Sequence, residues 1–270
     1  MRVVPTHLGD LAVHDTGPAG HVDGPAPVLV LWPSILADHR IYGAQVAALR
    51  QRWRMILIDG PGHGASGGPS HTFSMADCAL AQAQVLDALD IGQPVVSMGT
   101  SWGGLVAGEF ALRHASRTRA IVMLNTPIFR SSAPWRDRFV AWGARWLNGT
   151  DLYVKGVAEA YFLPETRERE REFMARFREQ IQHADAAALA TAVRSVLLER
   201  DDLAARLQAI AVPTLFIAGT RDPLCPVAEQ REAAARLPRG RFVALTSAHV
   251  AVVDAPAEST LAIDRFLGSL

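Results

Sequence analysis

The chain has 270 residues, 49% of them hydrophobic and 20% charged, with Lys+Arg and Asp+Glu equal at 27 each. A length and apolar share of this kind let one large domain, or a domain carrying an insertion, bury its own core without disulfide or metal staples. Balanced charge excludes a globally basic nucleic-acid binder, so the expected partner is a small-molecule substrate, with no nucleic acid and no membrane.

The N-terminal residues Met1-Arg2-Val3-Val4-Pro5-Thr6-His7 hold no apolar signal-peptide core, and no run reaches the length of a membrane span, so a cytoplasmic protein is expected. Cys78 and Cys225 lie far apart, outside any C-x-x-C or metal spacing, and read as free thiols. Apolar runs at residues 28–31, 53–58, 94–98 and 120–124 predict strands; helical patterns cover 39–50, 74–89 and 102–114. Short continuous apolar strands alternating with helices predict an α/β fold: a mostly parallel central sheet with helices on both faces. From residue 127 to 207 the pattern is helical without strands, with residues 165–180 reading as a solvated, charged helix. Strand and helix signals then resume at 213–218, 228–237, 241–245 and 257–267. The expected organisation is a core of residues 1–126 and 208–270, interrupted by an all-helical cap of residues 127–207. An insertion at that place could cover the carboxyl edge of the sheet, where ligands bind in open α/β folds.

Gly99-Thr100-Ser101-Trp102-Gly103 matches G-x-S-x-G between a predicted strand and a predicted helix. A serine on such a tight turn is exposed to a reacting carbonyl, and the following helix aims amides at the place where an oxyanion forms. A hydroxyl is a poor nucleophile without a base, and the base needs an orienting acid. Asp222 follows the apolar run at 213–218, and His249 follows the next strand. Ser101, Asp222 and His249 therefore stand in the chain order nucleophile, acid, base.

These residues resemble the α/β-hydrolase fold family over nearly the whole chain. Asp59-Gly60-Pro61-Gly62-His63-Gly64-Ala65-Ser66 is similar to the family's D-x-x-G-x-G-x-S loop, Gly219 to Pro226 to its G-x-x-D-x-x-x-P acid loop, and His249 to Pro256 to its H-x-x-x-x-[DE]-x-P ending, with Asp254 in the acidic place. The family's usual His-Gly oxyanion pair is replaced by Pro33-Ser34, with Tyr42 keeping the spacing of the aromatic residue beyond it. Asn-Ser at this place is similar to the enol-lactonases of aromatic catabolism. The resemblance implies backbone N–H donors at Ile35 and Trp102 for the oxyanion.

The implied activity is a cofactor-free serine hydrolase that cleaves a carboxylic ester or lactone of a small apolar molecule through an acyl-enzyme. Carbon–carbon bond hydrolysis of a ring-cleavage product and cofactor-free perhydrolase or haloperoxidase chemistry use the same three residues; a receptor or scaffold on this fold is the non-enzymatic alternative. Gly60-Pro61-Gly62-His63-Gly64-Ala65 also fits G-x-G-x-x-[GA], but Ser66-Gly67-Gly68-Pro69 breaks the helix a dinucleotide site requires, and no metal spacing is present. His63 reads as structural, and His7, His14, His21, His39, His71, His114 and His183 as scattered single histidines. Within the cap, Trp135, Phe139, Trp142 and Trp146 are spaced four, three, four, which sets them on one helix face. That stripe is expected to pack the cap onto the core, with at least one member in the substrate pocket. Arg130, Arg136, Arg138 and Arg145 flank it as a solvated face.

Overall fold

In the computed structural model, which describes residues 1–17, 26–131, 133–200 and 202–270, eight strands form a single sheet in the order β1-β2-β4-β3-β5-β6-β7-β8. His21 lies outside the described residues. The strands are β1 (Arg2–Thr6), β2 (Gly9–Asp15), β3 (Val28–Trp32), β4 (Arg54–Ile58), β5 (Val95–Thr100), β6 (Thr118–Leu124), β7 (Thr214–Gly219) and β8 (Gly240–Leu245). From β4 to β8 all neighbours are parallel; β1 and β2 join as an antiparallel edge. This edge hairpin was not part of the sequence expectation. β1 is largely exposed and contains Pro5, so it lacks the continuous apolar run that marked the central strands.

The core helices are α1 (Gly43–Leu49), α2 (Met75–Ala88) and α3 (Trp102–Arg113) in the first half. Ser74 starts α2 with a reciprocal capping box to Asp77, which satisfies two otherwise orphaned N–H groups. Between β6 and β7 lie the cap helices α4 (Pro134–Trp146), α5 (Asp151–Tyr161), α6 (Pro164–Arg169), α7 (Arg171–His183) and α8 (Ala186–Leu197), and no strand among the described residues. The charged segment expected as one helix is two, α6 and α7, broken at Glu170. The chain closes with α9 (Val227–Arg236), α10 (Ala251–Asp254) and α11 (Pro256–Leu267). Both cysteines are buried and free. No described helix is long and apolar enough to cross a membrane.

Because β5, β6, β7 and β8 run parallel, their carboxyl ends share one edge. Thr100 pairs with Leu124, Leu124 with Ile217, and Gly219 with Leu245. The residues immediately beyond these ends, Ser101, Asn125, Asp222 and His249, are therefore gathered without any long-range loop excursion.

The cap is tied down at both ends. The Arg200 guanidinium donates to the carbonyls of Pro127 (2.7 Å) and Phe129 (2.8 Å), joining the end of the insertion to its beginning. Burial draws the Arg200 pKa down, against the favourable charge of Asp137. Among the described residues no carboxylate pairs with this cation; two carbonyl oxygens hold it. Arg200→Met should leave both carbonyls without their donor and cost about 1–3 kcal/mol. A urea unfolding midpoint equal to wild type at unchanged m-value would contradict this account of the hinge.

Candidate active site

The glycines of the Ser101 turn are dictated by space. A Cβ on Gly99 would lie 2.0 Å from the Gly103 carbonyl carbon, and one on Gly103 would lie 1.9 Å from the Trp32 oxygen. Strand β5, the turn and the start of α3 therefore touch backbone to backbone. Ser101 itself stands at φ 56° and ψ −109°, in left-handed territory that a residue with a Cβ seldom adopts. Its N–H donates to Leu124 O (2.7 Å), and Gly103 N–H donates to Pro33 O (3.2 Å). Tyr42, buried, adds a second brace. Its hydroxyl donates to Trp32 O (2.8 Å) and accepts from Thr100 N–H (2.9 Å), locking the strand before the nucleophile to the strand before Ile35.

His249 Nδ1 lies 3.0 Å from Asp222 Oδ2 and 3.2 Å from Oδ1. An ionised carboxylate only accepts, so Nδ1 carries the proton and Nε2 is left free to take one. Burial pushes the Asp222 pKa up, but the charge of His249 and hydrogen bonds from His249, Asn125 and Leu224 N–H outweigh it and hold the carboxyl below its ordinary value. Leu224 and Cys225 N–H both donate to Asp222 Oδ1, a local turn that fixes the carboxylate plane.

The structure adds three side chains to the site that sequence reasoning did not single out for it. Asn125, at φ 47°, donates from Nδ2 to Asp222 Oδ2 (2.9 Å) and to Ala248 O (3.1 Å), so it joins the acid loop to the base loop. Asp254, which the sequence placed only as a motif position, accepts from Ala248 N–H (2.7 Å) and from Leu163 N–H of the cap (3.1 Å). Tyr161, at the end of α5, donates its hydroxyl to Ile35 O (2.7 Å) and accepts from Ser34 Oγ (3.3 Å); its ring lies tilted against His249 at 5.1 Å. A tyrosine in a strand-free helical stretch carries no pattern that would have marked it. The signal for Asn125 was its place directly after a strand end, shared with Ser101.

Ile35 and Trp102 sit beside the Ser101 turn, and neither backbone N–H donates to a protein acceptor among the described residues. Trp102 is the first residue of α3, where the N–H has no partner within the helix. The next residue after Ile35, Leu36, is held at φ 59°, and its N–H donates to His63 Nε2 (2.9 Å). His63 Nδ1 lies 3.0 Å from Pro61 O, so that nitrogen bears the proton and the ring is a neutral acceptor. His63 is buried, with its ring against Trp102. The histidine read as structural thus shapes the loop that presents Ile35.

The four aromatic residues of α4 are the clear departure from expectation. Trp135, Phe139, Trp142 and Trp146 are 71%, 60%, 50% and 65% exposed. The cap helix packs instead through Val140, Gly143 and Ala144, against Tyr153 and α8. The spacing put the four on one face correctly, but periodicity does not state which face turns inward. Here the small residues allow close helix contact, and the bulky ones point out. Two clefts of about 530 and 670 Å³ lie elsewhere, and neither is walled by these aromatics, by Ser101 or by His249. The larger runs along α7 and α8 and reaches Leu36 and His63 from outside.

Among the described residues, two groups each bring three side chains of metal-ligating type together. Asp222, Cys225 and His249 form one, but burial raises the Cys225 thiol well above its usual range, so it stays protonated beside a carboxylate already committed to His249. The other is His14, His39 and Asp59. The two imidazoles are stacked at 3.5 Å and 21°, so their in-plane lone pairs run nearly parallel instead of converging on one ion. Burial pushes the Asp59 carboxyl up, yet the neighbouring His14 imidazole and the hydrogen bonds from His39 prevail and hold it well below the carboxylate range. That trio secures a buried carboxylate at the end of β4.

Burial lowers the His63 pKa below its ordinary value. The unfolded chain then binds a proton that the folded chain refuses, so this residue's contribution to stability is lost as pH falls through about 6.5, the unfolded value. His63→Gln retains an acceptor for Leu36 N–H and does not titrate. Its unfolding free energy should fall less than that of wild type between pH 7 and pH 5; equal slopes would show that His63 is not the titrating group.

The family model of the alpha/beta hydrolase fold matches residues 27–256. The chain is 25% identical to 3-oxoadipate enol-lactonase 1 of Acinetobacter baylyi, over 92% of each chain. It is 32% identical to the pimeloyl-[acyl-carrier protein] methyl ester esterase of Xanthomonas campestris pv. campestris, over 93% of this chain and 99% of that one. Among solved structures, the enol-lactonase of Burkholderia xenovorans superposes with a TM-score of 0.90 at 27% identity, covering 99% of this chain and 100% of the other. The strand order, the serine turn and the matched span lead to one assignment: the chain belongs to the α/β-hydrolase fold family.

Proposed function

We propose that the chain is a serine hydrolase that cleaves a carboxylic ester or lactone of a small apolar molecule through an acyl-enzyme at Ser101. The observation that carries the reading is the Ser101 turn, with two backbone N–H groups unspent at Ile35 and Trp102 and an imidazole oriented by Asp222 at the same sheet edge. His249 Nε2 takes the Ser101 proton as Oγ attacks the carbonyl. The oxyanion collects the Ile35 and Trp102 N–H groups, each worth about 3 kcal/mol in a transition state of this type. Collapse of the tetrahedral intermediate expels the alkoxide, which takes the proton from His249. Water then repeats the sequence on the acyl-enzyme and releases the carboxylic acid. In a lactone the alkoxide stays tethered to the acyl group, so one site handles both substrate kinds. The relatives are named for a lactone and for a methyl ester, two forms of the same bond.

Ser101 and His249 are both buried, with Tyr161 of the cap against the imidazole. Substrate entry on this reading displaces part of the cap, and its return excludes water from the oxyanion.

Two measurements test the mechanism. A fluorophosphonate should add once to the wild-type chain, on the peptide containing Ser101, and not at all to Ser101→Ala; an adduct that persists in the variant sinks the assignment. Asp222→Asn should lower kcat about 10³–10⁴-fold toward a short aliphatic ester while Tm stays near wild type, because the imidazole loses its tautomer. An Asp222→Asn enzyme within tenfold of wild type would remove the acid from the mechanism.

A further inference from the structure

The outer face of α4 is the largest feature of the surface that the catalytic reading leaves unused. Four large aromatic side chains line it, each at least half-exposed. Together they expose on the order of 400 Å² of apolar surface, the size at which a patch on a soluble protein signals a contact. Three of the four are tryptophans, whose rings combine an apolar body with a polar N–H.

The charges around this face have one sign. Arg138 and Arg145 border the stripe, both exposed, and neither forms an ion pair among the described residues. The Arg145 guanidinium lies 4.9 Å from the centroid of the Trp146 ring. The single acid of the helix, Asp137, is set away from the stripe by its position in the turn. We propose that α4 is an interfacial helix that docks the cap on an anionic lipid surface. Its aromatic rings sink to the headgroup boundary, and Arg138 and Arg145 meet the lipid phosphates. A second copy of the chain fits less well. A two-fold contact centred on the stripe would bring Arg138 and Arg145 of each copy toward like charges. The overall neutrality of the sequence does not display this local asymmetry.

The position of α4 gives the docking a consequence. Arg136 donates to Pro223 O (3.4 Å), the residue next to Asp222, so the helix stands beside the acid loop. Docking through α4 would therefore bring the lipid surface near the loop that carries Asp222.

The test is co-sedimentation of the full chain with vesicles of phosphatidylglycerol and phosphatidylcholine, against vesicles of phosphatidylcholine alone. Wild type should bind the anionic vesicles at low salt, with a blue shift of tryptophan fluorescence, and bind the neutral ones at least tenfold more weakly. Arg138→Glu with Arg145→Glu should weaken anionic binding at least tenfold. Trp135→Gln, Phe139→Ser, Trp142→Gln and Trp146→Gln combined should abolish both binding and shift. Hydrolysis of a short soluble ester should persist in both variants. Failure to bind anionic vesicles, equal binding to neutral ones, or wild-type binding by the charge-reversed variant would each overturn the proposal. So would a wild-type dimer that the aromatic substitutions dissolve, or retention of an acidic carrier protein in place of vesicles. If the fourfold variant fails to fold, the charge reversal at two exposed positions still decides.

Discussion

The backbone of Ser101 is held where an L-residue does not willingly go. At φ 56° and ψ −109° it costs on the order of 1–3 kcal/mol, and the surroundings must supply that energy continuously. They do so through backbone: Ser101 N–H on Leu124 O, Gly103 N–H on Pro33 O, and the bare Cα atoms of Gly99 and Gly103 in contact. Left-handed residues recur along the same edge. Leu36 follows the end of β3, Asn125 the end of β6, and both, like Ser101, lack the glycine that would make the conformation free. Each redirects the chain sharply at a strand end, so that a side chain or an N–H faces the common point above the sheet. Strain of this kind persists only when several bonds over-determine it, which explains the density of hydrogen bonds from Tyr42, His63 and Asn125.

The cap is part of the same framework. Tyr161 reaches Ile35 O and the face of His249, Leu163 N–H reaches Asp254, and Val250 N–H donates to Tyr161 O (3.0 Å). On the opposite side, Phe73 N–H donates to Ser195 Oγ of α8 (3.0 Å). Those of Tyr161, Leu163 and Val250 reach the segments that carry Ile35 and His249. A cap that loosens would therefore release the Ile35 carbonyl and the face of His249 together.

Most of the core was legible because its signals are local. A buried parallel strand needs a continuous apolar run, and β3, β4, β5, β6 and β7 each show one. The glycines around Ser101 were readable for a steric reason that the measured approaches of 2.0 and 1.9 Å make explicit. What escaped depended on partners distant in sequence. The β1–β2 edge is polar on one side and has no run to find. Tyr161 gains its meaning from Ile35, 126 residues away. His63 was seen as structural from its lack of an acidic partner, but its target, the Leu36 N–H, is a backbone group that no sequence pattern displays.

The α4 stripe marks a different boundary. A spacing of four, three, four defines a face, and apolar character gives a reason to bury it, yet the helix had a second option. Val140, Gly143 and Ala144 lie on the other side, and small side chains let α4 approach Tyr153 and α8 closely enough to fill space without the aromatics. Burying the bulky face instead would have carried Arg138 and Arg145, which form no ion pair among the described residues, away from water. Stripping water from two unpaired guanidinium groups costs several kcal/mol each, which offsets part of what the four aromatic side chains would gain by burial. The arginines that read as a solvated margin thus favour the outward orientation, alongside the close packing of Gly143 and Ala144. They leave its apolar face available to a surface whose own charge can meet them.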